Sequence, residues 1–216
     1  MTPAFANRAQ AAHALAKRLA AMKLAPPIVV LALPRGGVPI GAEVARALHA
    51  GLDLVLVRKI GVPWQPELAV AAVVDGEKPE IVVDAEVQAM AGVDRHYIDA
   101  QASRELGEIE RRRALYLRGR TPLPLAGATA IVVDDGIATG TTMRAALKAL
   151  RRRHRARLVL AVPVAPHDTV EALRAEVDDL VCLVEPDPFH AIGLHYEDFH
   201  QVSDAEVLAA LDNARP

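Results

Sequence analysis

The chain reads as an α/β protein built around a mostly parallel sheet. Three observations predict this: short continuous apolar runs of the kind buried on both faces of a sheet, helical periodicity between them, and an early strand–helix–strand unit of roughly thirty residues. The runs are Ile28–Leu33, Leu52–Val57, Ala128–Val133, Leu158–Val162 and Leu180–Val184. The intervening spacing predicts helices over 6–22, Val38–His49, Asp94–Leu117, Thr141–Arg153, Asp168–Val177 and Asp204–Ala214. Pro34-Arg35-Gly36-Gly37 breaks the first strand, and Arg58-Lys59-Ile60-Gly61 closes the second. Leu68–Val74 and Ile81–Val83 read as short strands pairing around the turn Asp75-Gly76-Glu77-Lys78-Pro79. Residues 185–202 carry no regular pattern, and no internal repeat is visible.

Composition narrows the function classes. With 216 residues, 52% hydrophobic and 24% charged, the chain is globular and suits one domain with a small cap. Lys and Arg total 25 against 27 Asp and Glu, a net charge of -2, which disfavours a nucleic-acid-coating protein. Aromatic residues at 3% also disfavour a stacking platform for single strands. Cys182 is the only cysteine and reads as core packing in a reducing cytoplasm. No apolar run approaches the roughly 20 residues that span a bilayer. Met1–Ala21, with Arg8, Lys17 and Arg18 spread through it, reads as an amphipathic helix and not as a signal peptide. A cytoplasmic location with no membrane partner is expected.

The densest chemistry lies at Ile131-Val132-Val133-Asp134-Asp135-Gly136-Ile137-Ala138-Thr139-Gly140-Thr141-Thr142. A buried strand ends in two carboxylates, and a loop of glycine, small and hydroxylic residues then leads into a helix. Such a loop offers backbone N–H groups, hydroxyls and a positive dipole end, which suit a phosphate. The carboxylates suit sugar hydroxyls, a cation, or a carbon gaining positive charge. Together they spell a phosphorylated ribose. No Lys follows the glycine as a Walker A loop requires, and the pattern does not fit GxGxxG. Independently, Gly36-Gly37 permits close backbone approach, with Arg35 beside a helix N-terminus. Arg58 and Lys59 at a strand end suit a polyphosphate.

Val132–Thr142 resembles the phosphoribosyl pyrophosphate (PRPP) signature of the type I phosphoribosyltransferases. Leu33–Val38 resembles that family's pyrophosphate loop, in which a strained, often cis, peptide turns amides toward the ligand; here it would be Arg35–Gly36. Val57–Gly61 resembles the Arg-Lys pair of adenine- and orotate-type members. Phe189-His190-Ala191-Ile192-Gly193 with Tyr196–Phe199 resembles the aromatic hood. The resemblance implies the type I phosphoribosyltransferase fold in a single domain over 1–216, with a five-stranded core at about 28–184. A mobile-loop region would span about 61–93, and a hood about 185–202 plus the terminal helix. It implies Mg-dependent transfer of the phosphoribosyl group of PRPP to a nitrogenous base, releasing pyrophosphate, in a homodimer.

By the same resemblance, Asp134 and Asp135 would hold the ribose hydroxyls, directly or through Mg2+, and stabilise an oxocarbenium-like state. Gly136, Ile137, Ala138, Thr139, Gly140, Thr141 and Thr142 would hold the 5′-phosphate. Arg35, Gly36, Gly37, Arg58 and Lys59 would take the pyrophosphate. Glu67, Phe189 and Ile192 are candidates for the base side. Ala138 stands where 6-oxopurine enzymes carry a further Asp, and Pro163-Val164-Ala165-Pro166 lacks their Lys, so hypoxanthine and guanine are disfavoured. The rival reading is a non-catalytic regulator that senses PRPP or a nucleotide, with Arg151–Arg157 as an RNA patch. Replacing either acid by Asn is expected to leave ligand-free stability equal or higher. Arg111–Arg113 read as partners of Glu105, Glu108 and Glu110 on one helix. His190, His195 and His200 share no helix face and suit hood packing or base contacts better than zinc.

Overall fold

The computed structural model describes residues 3–76, 79–152 and 155–214. Glu77 and Lys78 of the expected turn, Arg153 and His154 of the basic run, and Met1 lie outside the described residues. In chain order the elements are α1 (Arg8–Ala20), β1 (Ile28–Ala32), α2 (Gly37–Leu48), β2 (Gly51–Leu54), β3 (Val57–Val62), β4 (Gln65–Val74), β5 (Glu80–Val83) and α3 (Ala85–Ala91). They continue as α4 (Arg95–Leu117), β6 (Thr129–Val133), α5 (Thr141–Arg151), β7 (Arg157–Val164), α6 (His167–Arg174), β8 (Asp179–Val184), a 3-10 turn (Ile192–His195) and α7 (Asp204–Asn213). The chain divides into two compact units.

The first unit comprises Met1–Leu54, Thr121–Gly140 and Arg153–Pro216. Its sheet has the order β2-β1-β6-β7-β8, with every neighbouring pair parallel. Every residue of β6 is buried, as are Leu158–Val164 of β7, which is why these strands read as unbroken apolar runs. Asn7 caps α1 by accepting a hydrogen bond from Gln10 N. The helix then buries Arg8, Ala11, Ala12, Leu15, Ala16 and Leu19, a stripe at helical spacing. α1 and α2 pack together; α2 lies on β1, α1 along β7 and β8, and α6 on β8. From β1 the chain winds to β2 on one side, whereas from β6 it winds through β7 and β8 on the other. The winding therefore reverses between β1 and β6, and their carboxyl ends meet at Ala32 and Val133. Such a reversal is where parallel α/β sheets place their ligands.

The second unit comprises Val55–Arg120 and Thr141–Arg152. It holds an antiparallel sheet, β3-β4-β5, against which α3, α4 and α5 pack. β4 and β5 pair as expected, from Ala71–Val83 to Val74–Glu80. The expected strand Leu52–Val57 is in fact two: β2 ends at Leu54, and β3 starts at Val57 in the other unit. Arg58-Lys59-Ile60-Gly61 therefore lies inside β3 and does not follow a strand of the parallel sheet. Its backbone pairs with β4, so polar side chains can alternate on the ladder. α3, capped by Asp84, was not foreseen because it buries no residue and has no apolar stripe to read. On α4, Arg111 and Arg112 pair with Glu108 as the spacing requires. Glu105 instead holds Arg58, and Arg113 holds buried Asp75. Arg152 and Arg157 of the basic run are paired to Glu80 and Asp179. No helix among the described residues is long and apolar enough to cross a membrane.

Cys182 is half-buried in β8, with Sγ 3.2 Å from the Val184 carbonyl. Burial pushes its thiol up to about 11, with help from the Glu185 charge. Alkylation by iodoacetamide at pH 8 should therefore run about a hundredfold slower in the native protein than in urea, because the thiolate is the nucleophile. The native rate should still be rising tenfold per pH unit at about pH 10. A native rate equal to the unfolded one would place the thiol in open solvent.

Candidate functional site

At the carboxyl end of β1 the chain turns sharply: Leu33 N donates to the Val133 carbonyl (3.0 Å), Gly37 N to Leu33 (3.0 Å) and Val38 N to Arg35 (3.1 Å). The turn contains a cis peptide between Pro34 and Arg35, one residue before the Arg35–Gly36 bond expected. Gly36, the N-cap of α2, is in right-handed helical conformation. The first turn of α2 is closed by these bonds, since Gly37 and Val38 use their N–H groups and Pro39 has none, but the positive end of the helix still faces this edge. Arg35 Nη1 lies 3.7 Å from Asp204 Oδ1 at the start of α7.

Next door, β6 ends in Asp134 and Asp135. The two loops touch, and glycine is what permits it. A Cβ at Gly36 would overlap the Asp135 carboxylate; one at Gly37 would fall 2.8 Å from Val133 O and 2.9 Å from Asp134 Cα. Asp134 Oδ1 accepts a hydrogen bond from Asp135 N at 2.8 Å. Burial pushes the Asp134 carboxyl well up, and the adjacent Asp135 charge adds to it. Asp135 is also pushed up by burial, but Arg8 opposes the shift. Arg8 donates Nε (2.8 Å) to Asp135 Oδ2, and Nη2 lies 2.8 Å from the same oxygen. Tyr196 Oη donates to the Asp135 carbonyl at 2.6 Å.

Beyond the acids, Gly136, Ile137 and Gly140 are buried while Ala138 and Thr139 face solvent. Ile137 N donates to the Val164 carbonyl (2.9 Å), and Thr169 Oγ1 to the Ala138 carbonyl (2.9 Å), which ties the loop to β7 and α6. Gly140 sits at φ +73, a conformation that favours glycine. The chain then enters α5 at Thr141, so Thr141 and Thr142 belong to the second unit.

Ile192 packs over this loop, its Cγ2 2.6 Å from where a Cβ of Gly136 would stand. Phe189 stacks on buried His195 at 5.4 Å. His200 is held by Asp198 (3.3 Å) and Glu206 (2.8 Å). The first unit thus brings together Arg35, Gly36, Gly37, Asp134, Asp135, Gly136–Gly140 and Ile192. In the second unit, Lys59 Nζ meets Glu67 Oε2 at 2.7 Å and Arg58 Nε meets Glu105 Oε2 at 2.6 Å. The loop expected at 163–166 is shorter, because β7 runs through Val164. Sequence reading missed Arg8 as a site residue. The signal was present: it precedes Ala11, Ala12 and Leu15 on the apolar stripe, where an unpaired cation has no business.

Comparison with known proteins now bears on these residues. Residues 6–198 match the family model for the phosphoribosyl transferase domain. A Mycobacterium tuberculosis protein, provisionally named a phosphoribosyl transferase, is 45% identical over 210 residues in both strain H37Rv and strain CDC 1551. The match covers 97% of this chain and 47% of the relative, so the chain spans about half the length of the curated relatives it matches. The crystal structure of TT1426 from Thermus thermophilus superposes with a TM-score of 0.84 at 41% identity, covering 96% of this chain and 97% of that one. The five-stranded parallel sheet, its flanking helices and the matched span agree: the chain belongs to the phosphoribosyl transferase domain family.

Proposed function

We propose that the chain binds PRPP with Mg2+ and transfers its phosphoribosyl group to a nitrogenous base, releasing pyrophosphate. One observation carries this reading. At the winding reversal of the sheet, a glycine turn with a helix N-terminus behind it lies directly against a pair of carboxylates. The positive end of α2 and a pair of cation-seeking carboxylates are thereby set side by side. A phosphorylated sugar bearing a pyrophosphate at its anomeric carbon needs both, side by side.

The roles follow from the chemistry. Gly136–Gly140 would take the 5′-phosphate on backbone N–H groups, with Thr139 and the α5 residues Thr141 and Thr142 adding hydroxyls. Gly36 and Gly37 would hold the pyrophosphate at the positive end of α2, with Arg35 supplying charge. Arg58 and Lys59 would join only by exchanging Glu105 and Glu67 for the ligand. Asp134 would face the ribose hydroxyls and stabilise positive charge growing at the anomeric carbon. Asp135 oxygen Oδ2 is already committed to Arg8. Among the described residues no cluster of three or more His, Cys, Asp or Glu side chains could hold a metal. This donor set still fits Mg2+, which is held by one or two carboxylates together with substrate oxygens and water. Asp134 would hold it, directly or through water, and the ion would supply charge neutralisation to the departing pyrophosphate. Ile192 and Phe189 would border the base, and Ala138 leaves no carboxylate to meet a 6-oxopurine.

The test is calorimetry followed by turnover. PRPP should bind more tightly with Mg2+ than with a chelator, and pyrophosphate should be released with adenine, or another acceptor lacking a 6-oxo contact, in preference to hypoxanthine and guanine. No PRPP binding at millimolar concentration would sink the reading. Binding without pyrophosphate release for any base would favour a PRPP-sensing regulator.

The two acids should separate in their Asn variants. Asp134→Asn should lower turnover by about two to three decades, the scale of a lost electrostatic stabiliser. Its ligand-free melting temperature should hold or rise, because burial and repulsion disfavour that charge. Asp135→Asn should instead destabilise by about 1–3 kcal/mol, since it strips buried Arg8 of its counter-ion. That reverses the gain expected for this position when the two acids are considered without Arg8. Equal melting shifts for both variants would refute the division.

Lys59→Ala should weaken PRPP more than ribose 5-phosphate, by up to about tenfold, because a cation serving pyrophosphate is idle without it. Equal losses for the two ligands would place Lys59 elsewhere.

A further inference from the structure

Arg8 occupies a place that neither its helix nor the solvent rewards. It is the first residue of α1, where the helix dipole disfavours a cation, and no acidic residue stands in that first turn to offset it. It is also only 8% exposed. The compensation comes from far along the chain. Nε and Nη2 meet Asp135 Oδ2, Nη1 donates to the His200 carbonyl at 2.7 Å, and the guanidinium lies 3.9 Å from the centre of the Phe199 ring. One side chain thus joins the acidic pair to the hood, 127 and 192 residues away.

The surrounding backbone follows the same line. Ala4 and Phe5 N–H groups donate to the His195 carbonyl, Glu197 N donates to Phe5, and Asp198 N to Ala6. The Phe5, Tyr196 and Phe199 rings pack in series at 5.5 and 4.9 Å. The hood segment 195–200 is therefore stitched to residues 4–8, and the pair reaches Asp135 through Arg8 and the Tyr196 hydroxyl. Asp135 in turn fills the space beneath Gly36.

Resting on the PRPP reading, we propose that Arg8 is a positioning residue which couples the hood to the glycine turn at 34–37 by way of Asp135. Its removal loosens Asp135, and with it the floor under Gly36. The 5′-phosphate loop keeps its own anchors to Val164 and Thr169. The loss therefore falls on the pyrophosphate end of the ligand and spares the other.

Arg8→Gln and Arg8→Lys, with Tyr196→Phe as the milder variant, test this by calorimetry with Mg–PRPP and with ribose 5-phosphate. Arg8→Gln should lose about ten- to a hundredfold in PRPP affinity, the range for a charge-assisted buried contact. Ribose 5-phosphate affinity should change less than about threefold. Arg8→Lys should recover part of the loss, because it keeps the charge on Asp135 but cannot also reach His200 and stack flat on Phe199. Should Arg8→Gln fail to fold, Tyr196→Phe should show the same asymmetry at about threefold. Equal losses for both ligands, or none in folded variants, overturn the coupling. Hydrogen exchange at Gly36 and Gly37 supplies an arm free of ligand: it should quicken in the variants, and unchanged exchange overturns the coupling as well. Failure of the unmutated protein to bind Mg–PRPP counts against the functional reading, and the exchange arm still decides the coupling.

Discussion

A carboxylate at the end of a strand buried on both faces has lost most of its water, and its neighbour in sequence is a second carboxylate. Asp135 meets that cost with Arg8, and much of the edge of the first unit is arranged to make the pairing possible. α1 must start where it does so that its first residue reaches the carboxyl end of β6. The chain must return at 199–200 to supply the His200 carbonyl and the Phe199 ring, because two of Arg8's N–H groups serve Asp135 and the remainder also need partners. The N-terminal strap at residues 4–6 and the backbone bonds it shares with 195–198 are the geometric consequence.

The second constraint is steric. β1 and β6 are adjacent and in register, so the turns that leave them compete for the same space. Gly36 and Gly37 resolve this by offering nothing but backbone where the acids stand. The consequence is chemical. The positive end of α2 and two carboxylates, which want opposite ligand charges, lie side by side without a salt bridge between them. A side chain at position 36 would separate them.

Much of this was legible in the sequence, for physical reasons. The runs of β1, β6 and β7 are buried on both faces, so continuous hydrophobicity marks them, and Ile131–Val133 followed by two acids marks the candidate site. Legibility failed where structure depends on partners distant in sequence. β3 carries Arg58 and Lys59 at its centre, which reads as a strand end unless Glu105 and Glu67 are known to meet them. α3 buries nothing and leaves no periodic trace. Arg8 was visible as a charge on an apolar stripe, yet its partner lies 127 residues on, beyond any local pattern. The cis bond falls at Pro34–Arg35, one residue before the bond expected, and no local sequence pattern tells the two apart.

Charge balance then limits what the site accepts. Asp134 and Asp135 bring two negative charges and Arg8 one positive, and Arg35 leans toward Asp204 at 3.7 Å. With both acids ionised, the strand end is short of one cation. A bare anion would meet the amides of the glycine turn but also the uncompensated Asp134, at a cost that falls only slowly with distance in a partly buried site. A ligand carrying an anionic end for the amides, hydroxyls for the carboxylate and a divalent ion between them satisfies every group. On the proposed reading, that combination is what would distinguish PRPP from a plain phosphate or a plain nucleoside. It also explains why the two acids cannot play the same part. The one held by Arg8 is already balanced, whereas the charge on Asp134 is disfavoured by burial until a cation arrives.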